Sequence, residues 1–333
     1  MKTKIIQIDD SSNIDEQLAE AATLLKEKKI VAFPTETVYG LGANGLDTKA
    51  VKRIFKAKKR PEDNPLILHV SSIKMLSKIA VFNEKIILPI LEEFWPGPLT
   101  VVLQKKEIVP NVVSGGLDTV AVRMPDHPIA LKLIEKCEFP LAAPSANLSG
   151  RPSPTTAGMV YNDMNKRIPL IIDGGTCQIG LESTVLDLSV KPYQILRPGK
   201  IIVDDIKPFF PKVIDFPKNG YIKKEKVKSP GVKYTHYKPD IRVILISEKT
   251  DLDALVKKEN PQNPLLITLK NDSNKIKTVN FNTVEELSQK LYETFYLAEK
   301  SQVDLVFIHK IPETGLGFTL MNRLKKVADE ILA

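Results

Sequence analysis

Pro34-Thr35-Glu36-Thr37-Val38-Tyr39-Gly40-Leu41-Gly42-Ala43-Asn44-Gly45 holds three glycines in the spacing G-x-G-x-x-G, and the reading of this stretch settles the fold class. Glycines so spaced let a pyrophosphate approach the backbone where a strand hands over to a helix, which invites a dinucleotide-binding domain. The surroundings argue otherwise. The fingerprint follows its strand directly and is answered by a strand ending in Asp or Glu. Here Thr35 to Tyr39 intervene after a strand expected at 30–33, and the next strand ends at His69-Val70. No G-x-x-x-x-G-K-[ST] occurs, so any bound ATP would not rest in a P-loop.

Working outward, period-two and period-3.6 patterns predict strands at 5–8, 30–33, 66–70, 99–103, 119–123, 170–172 and 184–188. Between them the spacing predicts helices at 14–28, 49–58, 84–94 and 128–137. This α/β domain is expected to span 1–211. Residues 212–240 break into Pro, Gly, Lys and Tyr without periodicity and read as a linker. A second domain, 241–333, alternates strands at 242–246, 264–268 and 304–308 with helices at 252–258, 284–300 and 318–331. That alternation predicts a small parallel sheet. No repeat of fixed period is present.

Composition agrees with a globular chain. Of 333 residues, 43% are hydrophobic and 26% charged, and no apolar run approaches the roughly 18 residues of a membrane span. The first ten residues lack the apolar core of a secretory signal, so a cytoplasmic protein is the expectation. Cys137 and Cys177 are the only cysteines, too few for a disulfide framework or a cysteine-rich zinc site. A net charge of +8 suits a phosphate-rich partner without distinguishing nucleotide from nucleic acid.

Small, polar and basic residues crowd the strand ends of the first domain. Residues 34–41 leave a strand; Lys58-Lys59-Arg60-Pro61 closes a helix ahead of Asn64-Pro65-Leu66-Ile67-Leu68-His69. Arg123 ends a strand, and Pro144-Ser145-Ala146-Asn147-Leu148-Ser149-Gly150-Arg151-Pro152-Ser153 is a turn rich in hydroxyls. Each has a plain structural reading. Lys58 and Arg60 could complement a helix C-terminus, Ser145 and Asn147 could cap a turn, and His69 and His236 could be satisfied structural groups.

In their order along the chain these clusters resemble the YrdC-like threonylcarbamoyl-AMP synthase family in its long, two-domain form. P-T-E-T-V-Y-G-L from Pro34, K-x-R at Lys58 to Arg60, N-P-L-I-L-H from Asn64 and S-A-N-x-S-G from Ser145 are similar to its principal motifs. E-S-T-V from Glu182, L-R-P-G from Leu196, S-P-G-x-x-x-x-H-Y-x-P from Ser229 and G-L-G-x-x-x-M-N-R-L from Gly315 look like signatures of the long form. The resemblance implies a twisted open mixed sheet followed by a smaller Rossmann-like parallel α/β domain. It further implies synthesis of L-threonylcarbamoyl-AMP from L-threonine, bicarbonate or CO2, and ATP with Mg2+, releasing pyrophosphate. The product would pass to the machinery that threonylcarbamoylates tRNA, with weak direct tRNA binding possible.

By that resemblance Arg60, Asn64, Thr119, Ser145, Asn147, Ser153 and Arg197 hold ATP, with Lys58 and Arg60 near the phosphates as catalytic groups. His236 and Tyr237 of the linker cover the nucleotide. Thr35, His69, Arg123, the backbone of Ala143, and Ser183 grip threonine. A planar guanidinium such as Arg123 can pair with both oxygens of a substrate carboxylate. No metal ligand is assigned to the protein. Two rivals remain: a non-catalytic double-stranded RNA or tRNA binder using the basic cavity and the linker lysines Lys218, Lys223, Lys224, Lys226, Lys228 and Lys233, and a carbamoyltransferase with no need of adenine.

Overall fold

A computed structural model describes residues 2–8, 13–217, 237–270 and 276–332. The first sheet contains β1 (Lys4–Gln7), β2 (Val31–Phe33), β3 (Gly40–Asn44), β4 (Ile67–His69), β5 (Ala80–Val81), β6 (Leu99–Lys105), β7 (Thr119–Arg123), β8 (Leu141–Ala142), β9 (Leu170–Asp173), β10 (Thr184–Asp187) and β11 (Gln194–Arg197). Across the sheet they run β1-β9-β2-β3-β8-β4-β7-β6-β10-β11, and β5 pairs with β6 beside that order. Pairing is mixed: β4 lies parallel to β7, for example, and β2 antiparallel to β3. This is the open mixed sheet that was expected.

The glycine-rich stretch is itself a strand. Phe33 stands opposite Gly40 and Val31 opposite Gly42. A Cβ on Gly42 would lie 2.8 Å from the Phe33 ring, and one on Gly45 would lie 2.8 Å from the Pro140 carbonyl oxygen. These glycines make room for a neighbouring ring and backbone rather than for a pyrophosphate. Predicted helices at 84–94 and 128–137 are found as Glu84–Phe94 and Pro128–Cys137. The helix 14–28 divides at Leu18 into Ile14–Gln17 and Ala19–Lys26. Asp47 caps Thr48–Lys58 by accepting from the Ala50 N–H at 2.8 Å, and Lys59 ends it in a left-handed conformation.

Side-chain alternation divides the core. Leu170 and Ile172 of β9 pack with Leu25, Phe33 and Leu133 on one face, while Ile171 packs with Ile54, Leu68 and Val122 on the other. In the second half of the sheet only a small cluster, Ile67, Val102, Ala121, Val185 and Leu196, forms on the first of these faces.

The second sheet, β14-β13-β15-β12-β16, is wholly parallel: β12 (Arg242–Ile246), β13 (Pro264–Thr268), β14 (Lys277–Asn280), β15 (Leu305–His309) and β16 (Glu330–Ile331). Its last helix, Leu316–Val327, is shorter than the predicted 318–331. The Asp329 and Leu332 amides donate to Val243 and Leu245 carbonyls on β12, so edge pairing takes the chain that helical spacing had claimed. Between the sheets, Ile214 bridges to Gln194, and Phe216 is buried in the first core. Residues 218–236, with His236 and the six linker lysines, lie outside the described residues.

The two domains pack on each other. Met159 and Leu181 of the first share a core with Tyr292, Leu320 and Leu324 of the second. A Cβ on Gly180 would meet Gln289 backbone at 2.4 Å. Among the described residues no helix is long and apolar enough to cross a membrane.

Candidate active site

Strand ends converge on one cavity. It is lined by Thr35, Thr37 and Val38 from the turn after β2, Gly40 of β3, Ile67 and His69 of β4, Arg123 of β7, and Ala143 to Ser145 after β8. Asn147, Arg151, Ser153, Glu182, Ser183 and Arg197 complete the wall, and Tyr237 is contributed by the segment leading into the second domain. Arg60 also reaches it. Ten of the side chains in the sequence-based assignment therefore meet in one place, together with Ala143.

His69 and Arg123 stand directly opposite in the parallel pairing of β4 and β7. Arg123 is buried; Nε donates to the Gly97 carbonyl at 3.1 Å and Nη1 to Thr37 Oγ1 at 2.8 Å. Its Nη2 stands 2.5 Å from Glu36 Oε1, an ion pair not aligned as a hydrogen bond, and both Glu36 oxygens are buried without hydrogen-bond partners among the described residues. Burial, with Arg123 adding to it, holds the His69 imidazole at a pKa of about 3, so it is neutral near pH 7. Its buried Nδ1 has no hydrogen-bond partner among the described residues.

The turn after β8 is tied down from behind. Lys58 Nζ donates to the carbonyls of Ser145 at 2.5 Å and Asn147 at 2.6 Å, and to Asn147 Oδ1 at 3.3 Å. Burial, and then Arg60, pushes its pKa well below the usual lysine value. Lys58 is not among the cavity-lining residues; it stands behind the turn that carries Ser145 and Asn147 into the lining. Asn147 fixes the turn further, donating to the Leu148 and Arg151 carbonyls at 2.8 Å.

Four more assigned residues have defined surroundings. Asn64 and Thr119 are buried but outside the cavity lining, and neither amide atom of Asn64 has a hydrogen-bond partner. Thr119 shares a strand face with Ala121 and Arg123, roughly 13 Å along β7 from Arg123 at 3.3 Å per residue. The Ala143 N–H donates to the Ile67 carbonyl at 3.0 Å, so its backbone can offer a ligand only the carbonyl. Thr35 Oγ1 donates to the Val38 carbonyl at 2.7 Å, holding the turn in which it sits.

Glu182 is a cavity-lining residue that residue-by-residue reasoning passed over, although it opens the quoted E-S-T-V. Ser153 Oγ donates to its Oε1 at 2.6 Å, and Arg323 Nε to its Oε2 at 3.2 Å. Next to it, Ser183 Oγ lies 2.7 Å from Thr100 Oγ1 and accepts from Arg197 Nη2 at 3.0 Å. The lining holds four arginines and one carboxylate, and two of the arginines are answered by acids outside it, Arg123 by Glu36 and Arg151 by Asp163, Asp240 and Glu299. Among the described residues no group of three His, Cys, Asp or Glu could hold a metal ion. The Cys177 thiol is pushed by burial up to about 12, which leaves it unreactive as a nucleophile.

Residues 23–199 match the family model described as telomere recombination, which covers the Sua5, YciO and YrdC proteins. Residues 201–329 match the model described as threonylcarbamoyl-AMP synthase, C-terminal domain. A threonylcarbamoyl-AMP synthase of Pyrococcus abyssi is 44% identical over 95% of this chain and 96% of its own. One of Bacillus subtilis is 40% identical over 98% of each. The crystal structure of P. abyssi Sua5 complexed with L-threonine superposes with a TM-score of 0.92, at 42% identity, over 99% of this chain and all of that one.

Proposed function

Because the chain belongs to the threonylcarbamoyl-AMP synthase family in its two-domain form, we propose that it makes L-threonylcarbamoyl-AMP from L-threonine, bicarbonate or CO2, and ATP. The observation that carries this is the likeness, over nearly the full chain, to a structure with L-threonine bound, joined to a cavity at the strand ends that is lined by arginines. It favours catalysis over the RNA-binding reading.

The chemistry asks little of a protein nucleophile. Threonine's amine and CO2 form a carbamate; one carbamate oxygen attacks the α-phosphorus of ATP, a new P–O bond forms, and the bond to pyrophosphate breaks. AMP has then moved to a carbamate oxygen, which makes the enzyme a nucleotidyltransferase. Both reactants are anionic, so the protein's task is alignment and charge neutralisation. Arg123, beside neutral His69 at the turn of Thr35, is suited to the threonine carboxylate. Arg60 and Arg197, with Ser145, Asn147 and Ser153, are suited to the nucleotide. The unpartnered amide of Asn64 and the hydroxyl of Thr119 offer hydrogen bonds to an ATP extending past the cavity along the sheet. Glu182, the one carboxylate in the lining, is already engaged by Ser153 and Arg323, so a magnesium ion would come with ATP and offset the charge of its phosphates.

Tyr237 fits a covering role, since it is a buried residue of the connecting segment that lines the cavity at φ 72°. Excluding water there protects an anhydride that hydrolyses readily. The product then suits an enzyme that acylates an adenosine of tRNA, in the cytoplasm. The test is pyrophosphate release from ATP by the purified protein, with threonine and bicarbonate each omitted in turn. Release that needs both is the expected result; release that needs neither, or none while ATP still binds, would refute the synthase reading.

A further inference from the structure

The motif M-N-R-L on the last helix of the second domain has no place in the chemistry above, yet its arginine reaches the cavity wall. Arg323 is fully buried. Its Nε donates to Glu182 Oε2 at 3.2 Å and its Nη2 to the Pro198 carbonyl at 2.9 Å, next to Arg197. The guanidinium carbon lies 5.5 Å from the centre of the Tyr237 ring, which in turn stacks on Tyr292 at 5.7 Å. Arg323 therefore touches two lining residues, Glu182 and Tyr237, and the neighbour of a third.

Glu182 poses a physical problem that this arginine solves. A buried carboxylate in the lining of a cavity meant for a polyphosphate would repel its ligand. Burial favours the neutral acid, but Arg323 and then Arg197 outweigh it and keep the Glu182 pKa below the usual glutamate value. Charged and paired, Glu182 can accept from Ser153 while adding little net negative field to the cavity.

We propose that Arg323 is a positioning residue for nucleotide binding: from the second domain it neutralises Glu182 and holds that carboxylate and Tyr237 in place, so that the cavity accepts ATP. The inference rests on the synthase reading for its ligand. A mere clamp between domains would not require charge, since well-packed apolar residues replace buried ion pairs without loss in many proteins. A clamp also predicts no dependence on Glu182 charge.

The experiment measures ATP dissociation constants by calorimetry, and KM and kcat for pyrophosphate release, in wild type, Arg323→Met, Glu182→Gln and the double variant, with thermal unfolding on each. Lys325→Ala on the same helix, where Lys325 is exposed and paired with Glu313, serves as a control with unchanged activity. Arg323→Met should weaken ATP binding at least about tenfold with a smaller change in kcat, because it leaves Glu182 buried and unpaired. In the Glu182→Gln background the same substitution should change ATP affinity less than about threefold, there being no carboxylate to neutralise. Should Arg323→Met alone not fold, Arg323→Gln takes its place in both backgrounds, and a loss in the Glu182→Gln background as large as that with Glu182 present would overturn the proposal. Equal ATP affinity in wild type and Arg323→Met, or equal losses in both backgrounds, would overturn the proposal. Wild-type protein that binds ATP without releasing pyrophosphate would remove the synthase reading only, and the dissociation constants would still judge Arg323.

Discussion

His69 and Arg123 are neighbours across two strands, and their shared environment makes separable predictions. The folded His69 pKa of about 3 lies below the ordinary histidine value, so the unfolded chain takes up a proton first as pH falls. Stability from this group is whole above about pH 6.5 and is lost as pH drops toward 3. His69→Gln should therefore shrink the stability lost between pH 7 and pH 5 by about 2 kcal/mol, read by urea unfolding at the two pH values. Arg123→Ala leaves Glu36 buried without its ion pair and should cost about 3 kcal/mol of folding stability, besides weakening threonine. Arg60→Ala should weaken ATP and spare threonine. Calorimetry finding one ligand affected by both arginine variants would contradict that division. Arg123 was picked from its place at a strand end; its partner Glu36 was not, because a sequence does not say which acid a buried guanidinium meets.

The strand Gly40–Asn44 shows how an element can hide inside a familiar spacing. Its glycines fit the spacing of a dinucleotide fingerprint and no strand is expected there, yet Gly40 and Gly42 each lie against the Phe33 ring, which leaves no room for a side chain. Gly45→Ala, just past that strand, brings a methyl to 2.8 Å from the Pro140 carbonyl oxygen. Backbone must move, so a loss of about 1–3 kcal/mol is expected in thermal or urea unfolding. The predicted elements that held, such as Pro128–Cys137 and Thr119–Arg123, are those whose apolar spacing is sustained. Two-residue strands such as Leu141–Ala142 carry too few residues for any period to show.

The second domain lines none of the cavity but backs its wall. Tyr292, Arg323 and the entering Tyr237 touch Glu182 or each other, and Thr319 Oγ1 donates to the Gly199 carbonyl at 2.8 Å. A chain ended after Pro217 should lose threonine-dependent pyrophosphate release and melt at lower temperature, because Glu182, Met159 and Leu181 are uncovered. Full activity in that truncation would show the first domain to be sufficient. The α/β class was legible in the linear order of residues, since periodicity is a local property of a chain, and the residues that line the cavity were named through the order of motifs that the resemblance rests on. Which residues share a wall was not legible. The pairing of Glu36 with Arg123, the bonds of Lys58 to the Ser145 and Asn147 carbonyls, and the meeting of Glu182 with Arg323 across 141 positions each depend on burial, where a charge must find whatever partner the folded backbone brings within reach.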